Sequence, residues 1–249
     1  MAIDDFIDKR HFEPVEPAGW LSPDQAAAYN RDGFLILRDH VPADWLARLK
    51  GPVERLVETG HRSQKDIDQK DAEIAAFVAS DPVTGTIELF NGPSALLQAF
   101  CFVKLPHEQR TKPYHQDGVY WQTSDSRVAC VFVALTEATP DNGCIYFLPG
   151  SHRLGRLYHW VHHDEFGLEN LECDIAPLPR PVPMVLKPGD AVVAHTLTVH
   201  GSFGNATDRP RISLGFHFRG QATTLELLSP YRRKRQSELG YDPARPDAA

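Results

Sequence analysis

The chain has no apolar run approaching the roughly 18 residues that a membrane-spanning helix needs, so no helix of it is expected to cross a bilayer. Cysteine is sparse. There are 4 cysteines, Cys101, Cys130, Cys144 and Cys173, and no two stand in a C-x-x-C pair. That excludes a cysteine-built zinc site and a disulfide scaffold. Three of the four lie in apolar, strand-like runs, which predicts buried free thiols in a reducing compartment, the cytoplasm. Positive charge is in deficit: 26 Lys and Arg against 33 Asp and Glu give a net charge of −7, where a nucleic-acid-binding face needs the opposite balance. The acidic start, Met1 to Asp5, lacks the apolar stretch of a secretory leader, and the end, Pro246 to Ala249, carries no peroxisomal or retention address. A small-molecule partner is the expectation, with no nucleic acid and no membrane.

The length of 249 residues suits a single domain with a sizeable core. Residues 1–20 are rich in Pro and charge and read as an extended arm with Phe6, Phe12 and Trp20 as packing anchors. Ser22-Pro23-Asp24-Gln25 has the form of a capping box with proline in the first turn, and Asp32-Gly33 ends the helix it starts. Phe34-Leu35-Ile36-Leu37 follows as a strand. Trp45, Leu46, Leu49, Val53, Leu56 and Val57 recur at helical spacing over 43–59, with Gly60 as the stop. Residues 61–80 are polar and of mixed charge and predict a flexible loop or short helix, a place where lids occur. From about 83 to 219 short β-branched and aromatic runs alternate with Gly, Pro, Asn and Asp clusters. Phe100–Val103, Val128–Leu135, Cys144–Leu148, Met184–Leu186, Ala191–Ala194 and Arg211–Phe218 read as strands of a sandwich or barrel. A helical layer over 21–80, a β body and a C-terminal extension over 220–249 make up the expected organisation.

The 12 histidines carry most of the chemical information. Tyr114-His115-Gln116-Asp117-Gly118 contains His-x-Asp. On extended backbone, positions i and i+2 share a face, so one imidazole and one carboxylate can meet at one metal while Gln116 points elsewhere. His200 in Val199-His200-Gly201-Ser202 supplies the third ligand. Two histidines and one carboxylate on one face of iron(II) leave three positions open, enough for a chelating 2-oxo acid and dioxygen. Such an acid also needs an anchor for its distal carboxylate, and the planar fork of an arginine provides two hydrogen bonds to it. Arg211 lies eleven residues after His200 with the turn Gly204–Asp208 between them. This spacing predicts adjacent antiparallel strands. Ser202 keeps the parity of His200 and can donate to the same carboxylate.

The set His115-Gln116-Asp117, Asn142-Gly143, Pro149-Gly150-Ser151-His152, His200-Gly201-Ser202 and Arg211 resembles the phytanoyl-CoA dioxygenase family. Asp32 to Leu37 resembles that family's opening strand, and the likeness runs from about Leu21 to Phe218. It implies a mainly β fold, a double-stranded β-helix (jelly-roll) with helices packed on one side. It implies iron(II) on His115, Asp117 and His200, with 2-oxoglutarate and dioxygen as co-substrates and ascorbate as a supporting reductant. By the same resemblance Arg211 and Ser202 grip 2-oxoglutarate with Gln116 nearby, and Phe132 takes a place where relatives often carry Trp beside the co-substrate. Related halogenases replace the carboxylate ligand with a small residue; Asp117 is retained here, which favours hydroxylation or a related oxidation.

Each assignment has a plainer rival. His195 competes as third ligand, but at five residues from His200 it faces the opposite side of a regular strand. Arg209 competes with Arg211, but Pro210 follows it and suits a turn. His152 reads as a turn residue, His217 as a satisfied strand histidine, and Arg232–Arg235 as a solvated helix face. Lys104 is either a solvated charge or a contact to an acid of substrate or co-substrate. Tyr120 and Trp121 are either core or pocket wall. At the level of the whole protein the rivals are a non-catalytic binding protein on the same scaffold and a cupin-like zinc or manganese enzyme, which would not need Arg211.

Overall fold

The computed structural model describes residues 12–60, 63–121, 123, 127–163, 169–176 and 178–224. Phe6 of the arm and the basic run Arg232–Arg235 lie outside the described residues. Ser22 opens α1 (Pro23–Asp32): its hydroxyl accepts from the Gln25 N–H while the Gln25 side chain accepts from the Ser22 N–H. This satisfies two of the donors that a helix start leaves without partners. Gly33 ends α1 at φ 83, and a Cβ there would also collide with the His152 ring and the Thr198 hydroxyl. β1 (Phe34–Leu37) follows, then α2 (Ala43–Glu58), which buries Leu49, Val53 and Leu56 along one stripe. Phe12 sits edge-on against His152 at 4.5 Å and against His195 at 5.3 Å, and the Asn30 amide clamps both backbone groups of Val15. These contacts hold the described end of the arm against α1, the turn at His152, and His195.

Residues 63–91 differ from expectation. They form β2 (Ser63–Lys65), a 3-10 turn (Ile67–Gln69), α3 (Ala72–Val78), a π turn (Asp81–Gly85) and α4 (Thr86–Asn91). A short helix was foreseen, but the edge strand β2 was not, because only Gln64 of its three residues is buried, leaving no apolar pattern to read. Gln64 instead donates to the Leu56 carbonyl at 2.6 Å, tying β2 to the end of α2. The β-branched residues of 83–87 suggest strand, yet Val83, Ile87 and Phe90 are buried at i, i+4 and i+7, the spacing of one helix face. The β body therefore begins at Ser94.

That body comprises β3 (Ser94–Lys104), β4 (Lys112–His115), β5 (Val128–Ala134), β6 (Ile145–Phe147), β7 (Trp160–His163), β8 (Glu169–Glu172), β9 (Val182–Pro183), β10 (Ala191–His195), β11 (His200–Ser202) and β12 (Arg211–Gly220). The strand expected at 184–186 is centred earlier, at β9; Leu186 makes only an isolated bridge to Ala138. A six-stranded sheet runs β1-β10-β5-β12-β3-β2 and a four-stranded sheet runs β4-β11-β6-β9, with β7-β8 a separate hairpin. The strand pairs are antiparallel. The two larger sheets face each other across Phe34, Phe100, Phe132, Phe147 and Val192. This is the jelly-roll expected. The outer face of the six-stranded sheet (Ala99, Val131, Val193, Leu214, Phe216) is covered by α2, α3 and α4 through Leu49, Val53, Ile74, Phe77 and Ile87. Each such fully buried side chain contributes on the order of 1.5–3 kcal/mol. The four cysteines are buried free thiols.

Candidate active site

Alternation along β12 decides what faces the interior. Ser213, Gly215 and His217 pair with Ala134, Phe132 and Cys130 of β5, residues of the cluster between the sheets. Leu214 and Phe216 point the other way, into the core beneath the helices. Arg211 begins the inward row. A Cβ on Gly215 would run into the Phe100 ring, so glycine is what lets that aromatic lie inside the barrel.

The metal-ligating candidates converge. His115 ends β4 directly opposite His200 of β11, their rings 4.4 Å apart. Gln116 is extended (φ −111, ψ 128) and Asp117 starts a 3-10 turn, so the i and i+2 alternation survives just past the strand. His115 Nε2 lies 3.4 Å from Asp117 Oδ1, and His200 Nε2 lies 3.4 Å from Asp117 Oδ2. All three residues are buried, with ligand atoms within 4.8 Å of one another; this is the one such group among the described residues. The tautomers follow from the partners. His115 Nδ1 is 2.8 Å from the Pro113 carbonyl and His200 Nδ1 is 3.0 Å from the Thr198 carbonyl. A carbonyl only accepts, so Nδ1 carries the proton in both rings and Nε2 presents a lone pair. Burial, aided by His200 and Lys112, pushes His115 down to about 3. Burial alone would raise Asp117, but His200 and His217 hold it well below the carboxylate range. These three groups thus fit a divalent metal without a proton in the way.

Gln116, expected near the co-substrate, turns its side chain to backbone groups of the neighbouring segments. Its amide donates to the Gly155 and Leu197 carbonyls at 2.8 and 2.7 Å and accepts from the Leu157 N–H at 2.8 Å. It points away from the ligands, as the alternation requires, and ties their loop to the segments that flank it. The Gln116 N–H donates to His159 Nε2 at 3.0 Å, a second brace that sequence reading missed.

His200 and Arg211 are not on adjacent strands of one sheet. β11 belongs to the four-stranded sheet and β12 to the six-stranded one; the barrel interior brings them together. His195 is excluded as a ligand for a related reason. It ends β10 in the six-stranded sheet, and the turn at 196–199 carries the chain across before His200. Its Nδ1 accepts from the Leu197 N–H at 3.1 Å. His152 is fully buried in a 3-10 turn, Ser151–Leu154. Arg209 is exposed and reaches Glu137.

Arg211 is 4% exposed. Among the described residues the one hydrogen bond of its guanidinium is from Nη1 to the Ser213 hydroxyl at 2.8 Å, and its Nε is buried without a partner. Burial pulls it down to about 10, so it remains charged at neutral pH. A small cavity is lined by Arg211, Ser213, Phe132, Ile145, Met184 and Val192, and the Phe132 ring lies 6.0 Å from that of His200. Ser202 stands opposite Ile145 in register, which puts its side chain on the same inward face. Lys104 is buried opposite Arg211, with Nζ on the Arg110 carbonyl at 2.9 Å; burial, then Arg211, lowers it to about 8. The solvated-charge reading of Lys104 therefore fails. The Tyr120 ring is 6.2 Å from that of His115, and Trp121 is buried 6.3 Å from the His217 ring. His217 itself was read as a satisfied strand histidine, yet its Nε2 is 2.8 Å from Asp117 Oδ2.

Comparison with known proteins agrees with this arrangement. Phytanoyl-CoA dioxygenase, peroxisomal, of Rattus norvegicus is 24% identical over 241 residues, covering 80% of this chain and 68% of its own. The crystal structure of EctD from S. alaskensis superposes with a TM-score of 0.71 at 24% identity, covering 87% of this chain and 84% of its own. The epimerase SnoN superposes with a TM-score of 0.70 at 21% identity, covering 81% and 84%. At these identities the structural likenesses establish the fold. The sequence profile described as phytanoyl-CoA dioxygenase (PhyH) spans residues 29–213, from within α1 to Ser213, and it is by this match that the chain belongs to the phytanoyl-CoA dioxygenase family.

Proposed function

We propose that the protein is an iron(II)- and 2-oxoglutarate-dependent dioxygenase that hydroxylates, or otherwise oxidises, an unactivated C–H bond of a small molecule. One observation carries the reading: the interior that holds a two-histidine, one-carboxylate set also holds a buried guanidinium with no ion-pair partner among the described residues. A buried, unpaired charge is costly, and a dicarboxylate that chelates a metal at one end and reaches Arg211 at the other relieves that cost. A zinc or manganese enzyme without a co-substrate offers no such explanation of Arg211. The EctD structure was obtained with 2-oxoglutarate and 5-hydroxyectoine, and SnoN with Fe3+, alpha ketoglutarate and nogalamycin RO, which supports small-molecule chemistry on this scaffold.

His115, Asp117 and His200 would hold the iron, which supplies dioxygen activation coupled to conversion of 2-oxoglutarate into succinate and carbon dioxide. The chain's own part is positioning. The Pro113 and Thr198 carbonyls orient the two ligand imidazoles. Arg211 grips the distal carboxylate in a charge-assisted fork, with Ser213 steadying the guanidinium and Ser202 on the same inward face. Phe132 walls this region and helps keep water out, which strengthens every charge interaction inside. Lys104 adds positive potential beside Arg211. Tyr120 and Trp121 follow the ligand loop and form the wall on the substrate side. The test is succinate release from 2-oxoglutarate with iron(II), measured across a panel of candidate small molecules. Turnover supported by zinc or manganese without 2-oxoglutarate would refute the reading.

A further inference from the structure

We propose that His217 is a positioning residue for Asp117, holding one carboxylate oxygen so that the other is presented to the metal. His217 Nε2 lies 2.8 Å from Asp117 Oδ2, and both side chains are buried. A carboxylate of this kind accepts, so Nε2 carries the proton. The tautomer is opposite to that of His115 and His200, whose Nε2 atoms are lone-pair donors. His217 is thus built to donate to a ligand while the other two are built to ligate.

Two further observations separate this from an interior histidine that merely packs. First, the Nδ1 of His217 is buried with no partner among the described residues, which is costly for a polar atom. A histidine chosen for packing would bond both nitrogens or be replaced by an apolar residue; here one nitrogen goes unpaired to hold the other on Asp117. Second, the two carboxylate oxygens are divided: Asp117 Oδ2 is the oxygen His217 takes at 2.8 Å, while Oδ1 faces the metal-ligating Nε2 of His115 at 3.4 Å. The carboxylate is left with one oxygen for a metal, which suits a site that must keep positions open for co-substrate and dioxygen. The ring is held by its surroundings. Phe100 packs against it at 4.8 Å and Trp121 at 6.3 Å, and Gly215, two residues earlier, makes room for Phe100. Arg211 and His217 share the inward row of β12, so one strand fixes both the co-substrate anchor and the orientation of a metal ligand.

The proposal rests on the metal reading above. It is tested by cobalt(II) affinity, measured anaerobically against a chelating dye, for wild type, His217→Gln, His217→Asn and His217→Leu. A glutamine amide nitrogen can take the place of Nε2, whereas that of asparagine falls short. The expected loss of cobalt affinity is about 10–100-fold for the Asn and Leu variants, as for other outer partners of metal ligands, and no more than about threefold for Gln. The 2-oxoglutarate midpoint at saturating cobalt stays unchanged in all variants that bind metal. Melting of the metal-free proteins identifies any variant that does not fold, and the Gln–Asn comparison keeps the outcome decisive if Leu is lost that way. Wild-type affinity in the Asn variant, or a Gln variant as weak as Asn, overturns the role of His217. Failure of wild type itself to bind either cobalt(II) or iron(II) overturns the metal reading as well.

Discussion

Replacing Arg211 with methionine keeps most of the side chain's length and removes its charge, and the structure predicts effects of opposite sign on the free and the liganded protein. In the free protein the guanidinium is buried and, among the described residues, has a single hydrogen bond, to Ser213, and an unpartnered Nε. Exchange of a buried charge for an apolar side chain of similar size is commonly neutral or stabilising by about 1–4 kcal/mol. At roughly 2–4 °C per kcal/mol for a chain of this size, the melting temperature without 2-oxoglutarate should hold or rise by several degrees. The liganded protein should behave in the opposite way. Two charge-assisted hydrogen bonds to the distal carboxylate are worth about 1.5–3 kcal/mol each. With a tenfold change per 1.4 kcal/mol, the 2-oxoglutarate requirement should rise by about 100- to 10,000-fold. The assay is thermal melting with cobalt(II), with and without 2-oxoglutarate, beside succinate release. A variant that melts well below wild type without 2-oxoglutarate, or a midpoint within about tenfold of wild type, refutes the assignment of Arg211 as an anion site held open by the fold.

Asp117→Ala should abolish succinate release and cobalt binding together; retained turnover sinks the ligand set. Lys104 is lowered to about 8 by burial and by Arg211, so in the free protein its charge is present below that pH and lost above it. The apparent 2-oxoglutarate affinity should therefore weaken as pH rises through about 8, and Lys104→Met should flatten that profile; a wild-type profile level from neutral pH to beyond this value contradicts it. The sign for stability is the reverse. The unfolded lysine keeps its proton up to its ordinary pKa, so Lys104 makes the fold more stable as pH climbs from about 8 towards that value. Gln116→Leu removes three hydrogen bonds and leaves the Gly155 and Leu197 carbonyls and the Leu157 N–H unpaired. It should cost at least about 3 kcal/mol in a urea melt while the 2-oxoglutarate midpoint of the folded protein is unchanged; a shifted midpoint at full stability would return Gln116 to the co-substrate.

What could be read from the sequence was whatever depends on spacing within one element. The capping box at Ser22, the stripe of α2 and the i, i+2 relation of His115 and Asp117 are local, and each is found where expected. Relations between elements were not legible. His200 and Arg211 flank a short turn, which suggests paired strands, but whether a turn joins neighbours in one sheet or crosses to the facing sheet depends on the closure of the whole barrel. His195 was set aside on strand parity, the right outcome for a reason the fold replaces: it lies on a different strand in a different sheet. The helix at 86–91 was hidden by β-branched residues whose burial against the helical layer overrides their propensity. The Asp117–His217 contact spans 100 residues. Its one sequence trace is that His217 lies an even number of positions from Arg211 and so shares its face.

The two rows of β12 have a consequence for how this protein can fail. The strand carries Arg211, Ser213 and His217 on one side and Ile212, Leu214 and Phe216 on the other. A slip of one residue in its pairing would bury Arg211 and His217 under the helices and turn three apolar side chains towards the metal. A one-residue slip therefore cannot give a molecule that is folded but merely slow. Faults at the seam of β12 with β3 and β5 should reach the cell as a smaller number of fully competent molecules, visible as lost abundance with unchanged activity per folded chain.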